Sequence, residues 1–85
     1  MSGRLEELDV DDTKITDQGI ADFRYLTRNL RRLHVQGTQI TDSAMIHLAR
    51  IRTLEYLDLR YTKVSEKAIH DIRMELPELN VIYRK

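Results

Sequence analysis

The sequence predicts an α/β solenoid: three strand–turn–helix units of about 25 residues plus a closing C-terminal strand, with the parallel sheet on the concave side. Two observations carry that prediction. Leu5, Leu30, Leu54 and Leu79 open similar stretches at steps of 25, 24 and 25 residues, and self-similarity at such a period marks stacked supersecondary units. Within each unit the apolar spacing changes from two to helical, so each unit holds one strand followed by one helix.

The units span residues 5–29, 30–53 and 54–78, the closing strand 79–85, and residues 1–4 lie ahead of the repeat. Aligned, they pair Leu8/Leu33/Leu57, Val10/Val35/Leu59, Thr13/Thr38/Thr62, Ile15/Ile40/Val64 and Thr16/Thr41/Ser65, then Asp17/Asp42/Glu66, Gly19/Ala44/Ala68 and Ile20/Met45/Ile69. Alternation about Leu8 and Val10 predicts a strand over Glu7–Asp11, and its counterparts over Arg32–Gln36, Tyr56–Arg60 and Val81–Arg84. Helices are predicted over Asp17–Thr27, Asp42–Arg50 and Glu66–Glu75. A hydroxyl residue precedes each as a cap, and an acid occupies each first turn. Gly19, Ala44 and Ala68 keep one position small, which lets each helix approach the sheet. Thr13, Thr38 and Thr62 fall where the strand turns away, and their hydroxyls can satisfy backbone groups the sheet no longer pairs. No unit buries its own apolar face, so stacking must build the core.

The pattern L-x-x-L-x-V-x-x-T-x-I-T-D-x-G-I from Leu5 to Ile20 resembles the leucine-rich repeat. It is most similar to the intracellular, helix-containing subtype of F-box-associated and bacterial repeats. Threonine stands at the turn where asparagine or cysteine is commoner. Leu76-Pro77-Glu78-Leu79 followed by a last strand is similar to the family's closing unit. The resemblance implies a protein–protein interaction or scaffold module, such as the recognition part of a ubiquitin-ligase adaptor. The alternative it implies is a structural or assembly subunit of a mitochondrial complex, like the leucine-rich-repeat coupling factor of ATP synthase.

Composition narrows the function classes. The 85 residues carry 14 basic and 14 acidic side chains, which gives no overall attraction to nucleic acid or a membrane surface. No apolar run approaches the ~20 residues of a membrane span, and no signal-peptide pattern opens the chain. Cysteine is absent, and together these favour an intracellular, cytoplasmic location, with mitochondria as the alternative. No nucleophile elbow, metal-spaced His/Cys set or glycine-rich loop is present, so neither an enzyme nor a cofactor is expected.

The expected binding surface is the outward strand face. Its rows are predicted as Glu7/Arg32/Tyr56/Val81, Asp9/His34/Asp58/Tyr83 and Asp11/Gln36/Arg60/Lys85. Arg32, Tyr56, Arg60 and Tyr83 are the expected anchors for a protein partner, with Asp9, His34 and Asp58 setting charge preference. His34 is expected between the carboxylates of Asp9 and Asp58, which would raise its pKa. His47 and His70 are read as ordinary surface histidines. The N-terminal edge, with Leu5, Leu8, Val10, Ile20 and Phe23, has no neighbouring unit within the sequence. It is expected to be covered by self-association, a partner subunit or upstream sequence.

Overall fold

The computed structural model describes residues 6–26 and 29–84, the side chains of residues 24–26 excepted. Strands β1 (Glu7–Asp9), β2 (Arg32–His34), β3 (Tyr56–Asp58) and β4 (Asn80–Ile82) alternate with helices α1 (Asp17–Leu26), α2 (Asp42–Leu48) and α3 (Glu66–Glu75). The strands form one parallel sheet in chain order, as the repeat requires. Leu5, Thr27 and Lys85 lie outside the described residues.

One face of the sheet and the inner faces of the helices make a continuous apolar core. Leu33, Leu57 and Val81 stand side by side on adjacent strands and are buried, as are Val35 and Leu59. Ala44, Met45, Leu48, Ala68, Ile69 and Ile72 meet them from the helices. Each fully buried Leu or Ile contributes roughly 1.5–3 kcal/mol. At Gly19 an added Cβ would press on the Ile15 side chain at 2.8 Å, and Ala44 at the equivalent place is fully buried. At Gly19 the Ile15 side chain, just ahead of α1, is what keeps the position small.

The strands are shorter than expected by about two residues, and the strand-end turn shows why. The hydroxyls of Thr13, Thr38 and Thr62 donate to the carbonyls of Val10, Val35 and Leu59 at 2.7, 2.7 and 2.8 Å. Regular parallel pairing would offer those carbonyls to the next strand. The Gln36 and Arg60 N–H groups turn to carboxylates instead, at Asp11 (2.6 Å) and Asp58 (3.1 Å). Two residues past Val10, Val35 and Leu59 the chain enters the left-handed region, at Asp12 (φ 58°), Gly37 (φ 68°) and Tyr61 (φ 60°). Inter-strand backbone bonds nonetheless run on to this turn, from Asp12 N to Gln36 O, Gly37 N to Arg60 O and Tyr61 N to Arg84 O.

The fourth strand corrects the expected register. Its predicted rows place Val81 beside Tyr56 and Tyr83 beside Asp58. In the sheet Asn80 pairs with Tyr56, and Ile82 with Asp58. Leu54 and Leu79 occupy matching turns, their N–H groups bonded to Ile51 O and Leu76 O at 3.1 and 3.0 Å. Glu55 then separates Leu54 from its strand, whereas Asn80 follows Leu79 at once. With one residue fewer, Val81 enters the core. Tyr83 packs against it, its hydroxyl donating to Val64 O at 2.7 Å. Helix α2 stops at Leu48, short of the predicted Arg50, as Arg50 and Ile51 bond three residues back, to His47 O and Leu48 O.

Leu33→Ala should cost about 2–5 kcal/mol in urea unfolding, since its side chain is enclosed on both flanks. Leu8→Ala, half-buried on the edge strand, should cost markedly less. Gly37→Ala should destabilise by about 1 kcal/mol or more, because the φ is left-handed and a Cβ would run into the Asp12 carboxylate. A Gly37→Ala chain that melts with the parent would contradict this account of the turn.

Candidate binding surface

The strand face away from the helices carries Glu7, Arg32, Tyr56 and Asn80 across one row and Asp9, His34, Asp58 and Ile82 across the next. A compact polar group lies at its centre. His34 Nε2 meets Glu7 Oε2 at 2.7 Å, and its ring lies against Tyr56, with centroids 5.3 Å apart and planes at 45°. Arg32 is exposed beside them, and no side-chain partner holds its guanidinium among the described residues. The carboxylate expected to flank His34 from Asp9 instead accepts from Asp11 N–H at 2.9 Å. Glu7, a diagonal neighbour across the ladder, takes that place.

Asp58 lies on this face but is only 2% exposed. Arg60 closes over it in a two-pronged contact: Nε donates to Oδ1 at 3.0 Å and Nη2 to Oδ2 at 2.7 Å. Side chains two apart on a strand share a face, so Arg60 reaches back to its own strand. Asp58 also accepts the Arg60 N–H. The pair closes the strand-end turn, and the Arg60 guanidinium is engaged before any partner arrives. Of the expected surface residues, then, the structure groups Arg32, His34 and Tyr56, occupies Asp9, Asp58 and Arg60 in internal bonds, and moves Tyr83 to the core side.

A second ladder joins the units on the helix side. Asp17 accepts both the N–H and the hydroxyl of Thr41, at 2.7 and 2.6 Å. Asp42 does the same for Ser65, at 2.7 Å each. Thr41 and Ser65 cap α2 and α3 by accepting from Ser43 N and Ala68 N. Asp17 and Asp42 therefore do more than face a helix dipole: each fastens its unit to the next.

Comparison with known families then meets a chain whose strand, turn and helix recur in register. A leucine-rich-repeat family model matches residues 5–23 and 28–49. The chain is a leucine-rich-repeat protein. A search of curated proteins returned no match. The third repeat lies beyond the matched segments and builds the same strand, threonine turn and capped helix.

Leucine-rich repeats generally mediate protein–protein interaction. On the helix side of these repeats lies a groove of about 560 Å³ between α2 and α3, floored by Met45, Ala49 and Ile72 and rimmed by Lys67, Asp71 and Glu75. Ile46, 61% exposed, stands on its wall. The groove runs along both helices, from Asp42 and Lys67 in their first turns to Arg52 and Glu75 at the far end. His47 departs from the expectation of a surface histidine: it is half-buried, and its Nδ1 has no hydrogen-bond partner among the described residues. His70 is exposed. Among the described residues, no group of three or more His, Cys, Asp or Glu is arranged to hold a metal ion, and no helix is long and apolar enough to cross a membrane.

Among the described residues, three carboxylates titrate away from the ordinary value of 3.8. The hydroxyl and N–H of Ser65 lower Asp42. Burial pushes Asp58 up, but the hydrogen bonds and charge of Arg60 outweigh it and leave the group lowered. Asp11 is raised, by burial first and by the charges of Asp9 and Asp58, against the pull of the Gln36 N–H. Lowered acids add stability that is present above 3.8 and is lost as pH falls through their folded values. The raised Asp11 works the other way, and its contribution declines as pH climbs from 3.8 through its folded value. Asp42→Asn should therefore lower the urea midpoint near pH 7, and its cost should shrink as pH falls below 3.8 through the folded Asp42 value. Arg60→Ala should move the Asp58 carboxyl titration, followed by NMR, to higher pH and lower the melting temperature. An unmoved Asp58 titration would show that Arg60 does not hold it.

Proposed function

We propose that this protein is a non-catalytic recognition module that binds a protein partner on the outward strand face, centred on Arg32, His34 and Tyr56. One observation carries the reading: an arginine with no internal side-chain partner among the described residues stands next to a tyrosine and a histidine whose rings are already in contact. All three project from paired strands, so little further ordering is needed on binding. Tyrosine brings contact area with few rotors, and a free guanidinium offers a planar fork to a carboxylate or carbonyl. Glu7 beside His34 favours partners that bring a donor or a positive charge to that corner.

The ubiquitin-ligase adaptor reading is supported by the resemblance to F-box-associated repeats. The mitochondrial reading is supported by the Leu-Pro-Glu-Leu end and final strand. The absence of cysteine supports an intracellular setting for either.

The test is capture of a partner from source-cell extract on the immobilised chain, followed by titration calorimetry with variants. Arg32→Ala and Tyr56→Ala should each weaken binding by about 1–3 kcal/mol, roughly 5- to 150-fold, while leaving the melting temperature close to the parent's. Ile46→Ser and Lys67→Ala, on the α2–α3 groove, should leave affinity unchanged. The reverse pattern would place recognition in the groove and sink the strand-face reading.

A further inference from the structure

We propose that the groove between α2 and α3 is the interface of a two-fold dimer, in which α2 lies antiparallel to its copy and Ile46 of each chain enters the groove of the other. This surface is separate from the outward strand face, which lies on the opposite layer. It is separate too from the N-terminal edge expected to be covered, where Leu8, Val10 and Phe23 are half-buried and Ile20, at 1% exposure, is already enclosed.

The middle repeat departs from its neighbours at two positions of its helix. Aligned by repeat, Ala21, Ile46 and His70 share one position, and Arg24, Ala49 and Arg73 share the other. In the third repeat the long side chain folds over the molecule, with Arg73 Nη2 donating to Val81 O at 3.4 Å. Ala49 has no such reach, and with Met45 and Ile72 it floors a groove of about 560 Å³. About one helical turn away, Ile46 stands 61% exposed on the groove wall. Ile46, Tyr61 and Met74 are the exposed large apolar side chains among the described residues, and of these Ile46 alone borders the groove. The surface thus carries an apolar knob beside an apolar hole, which a second copy related by a two-fold axis matches in both directions.

The charges on the rim select the second copy and its direction. Asp42 and Arg50 lie four residues to either side of Ile46, and Lys67 and Glu75 four residues to either side of Asp71. The signs run from acid to base along α2 and from base to acid along α3. A parallel copy would set each of these charges against its own like. An antiparallel copy, with the axis beside Ile46, sets Arg50 opposite Asp42 and Lys67 opposite Glu75, each pair occurring twice. Arg50 is exposed, and its guanidinium has no side-chain partner among the described residues. Asp42 gives one oxygen to each donor of Ser65 and keeps lone pairs for a further one. Lys67 and Glu75 are paired with Asp71 and Arg52 within the chain, yet both are more than half exposed. The two Asp71 carboxylates approach the axis, and each brings its own Lys67 at 2.9 Å. Such a dimer leaves both strand faces outward and presents the Arg32–Tyr56 surface twice.

Sedimentation equilibrium of the full chain should show monomer and dimer in exchange, with a Kd of about 100 µM or tighter, as suits a small interface. Ile46→Glu should weaken the dimer by more than about tenfold, because it drives two carboxylates into apolar grooves. Lys67→Glu and Glu75→Lys should each weaken it by about fivefold or more, since each sets like charges opposite one another twice. The double variant Lys67→Glu/Glu75→Lys restores opposite signs across the axis and should return to within about threefold of the parent Kd. It does so although both internal pairs, with Asp71 and Arg52, are lost, so a merely structural effect of the single changes would be worsened rather than repaired. A chain that stays monomeric at millimolar concentration, or a dimer indifferent to Ile46→Glu, would overturn the interface. A double variant no tighter than the single ones would overturn the antiparallel arrangement.

Discussion

The threonine hydroxyl at the end of each strand is the contact on which the rest of the molecule depends. By taking the carbonyl of Val10, Val35 or Leu59, it ends regular pairing at the same point in every unit and sends the chain toward the helix layer. The following strand is left with an N–H that has lost its expected acceptor, and burying it unpaired would cost on the order of 1–3 kcal/mol. Asp11 and Asp58 answer that need. Acids on the outward face therefore arise from backbone accounting as well as from solubility.

That origin alters how the surface is read. Asp58 and Arg60 look like a solvent-facing acid and base, yet they form one closed unit, with the acid buried and its titration set by the base. Removing one member leaves a buried charge with fewer partners, so damage to stability would mask any damage to recognition. Arg32 and Tyr56 carry no such structural duty among the described residues. They can vary in identity without disturbing the turn, which is the property a specificity surface needs.

Much of this fold is legible in the sequence because period and chemistry agree at every level. The 25-residue step, the change from alternating to helical spacing, the threonine row and the Thr-Asp helix starts each name their element without reference to the others. The fourth strand escapes because Leu79 suggests one register by its step from Leu54, while Leu79, Val81 and Tyr83 alternate as one inward face in another. Favouring alternation over the step would have found it. The Asp58–Arg60 clasp and the Glu7–His34 contact escape for a different reason. Alternation assigns side chains to a face, but it does not say which of several neighbours on that face will meet. The Asp17–Thr41 bond needs the stacked arrangement itself, since residues 24 apart become neighbours only after the solenoid closes one step.

The two ladders together give each unit a direction. On its forward side a unit offers a carboxylate from the start of its helix; on its rear side it offers an N–H and a hydroxyl from the cap. Apolar side chains alone would let units slide, because a sheet face of Leu and Val tolerates other registers of similar area. A carboxylate that must meet both a cap N–H and a cap hydroxyl does not. It fixes the step between units and the sense of stacking, and it holds each helix start beside the next. The outward strands keep the same step: backbone pairing of β2 with β3 sets Arg32 beside Tyr56, and the carboxylate bonds hold the helix layer to that register.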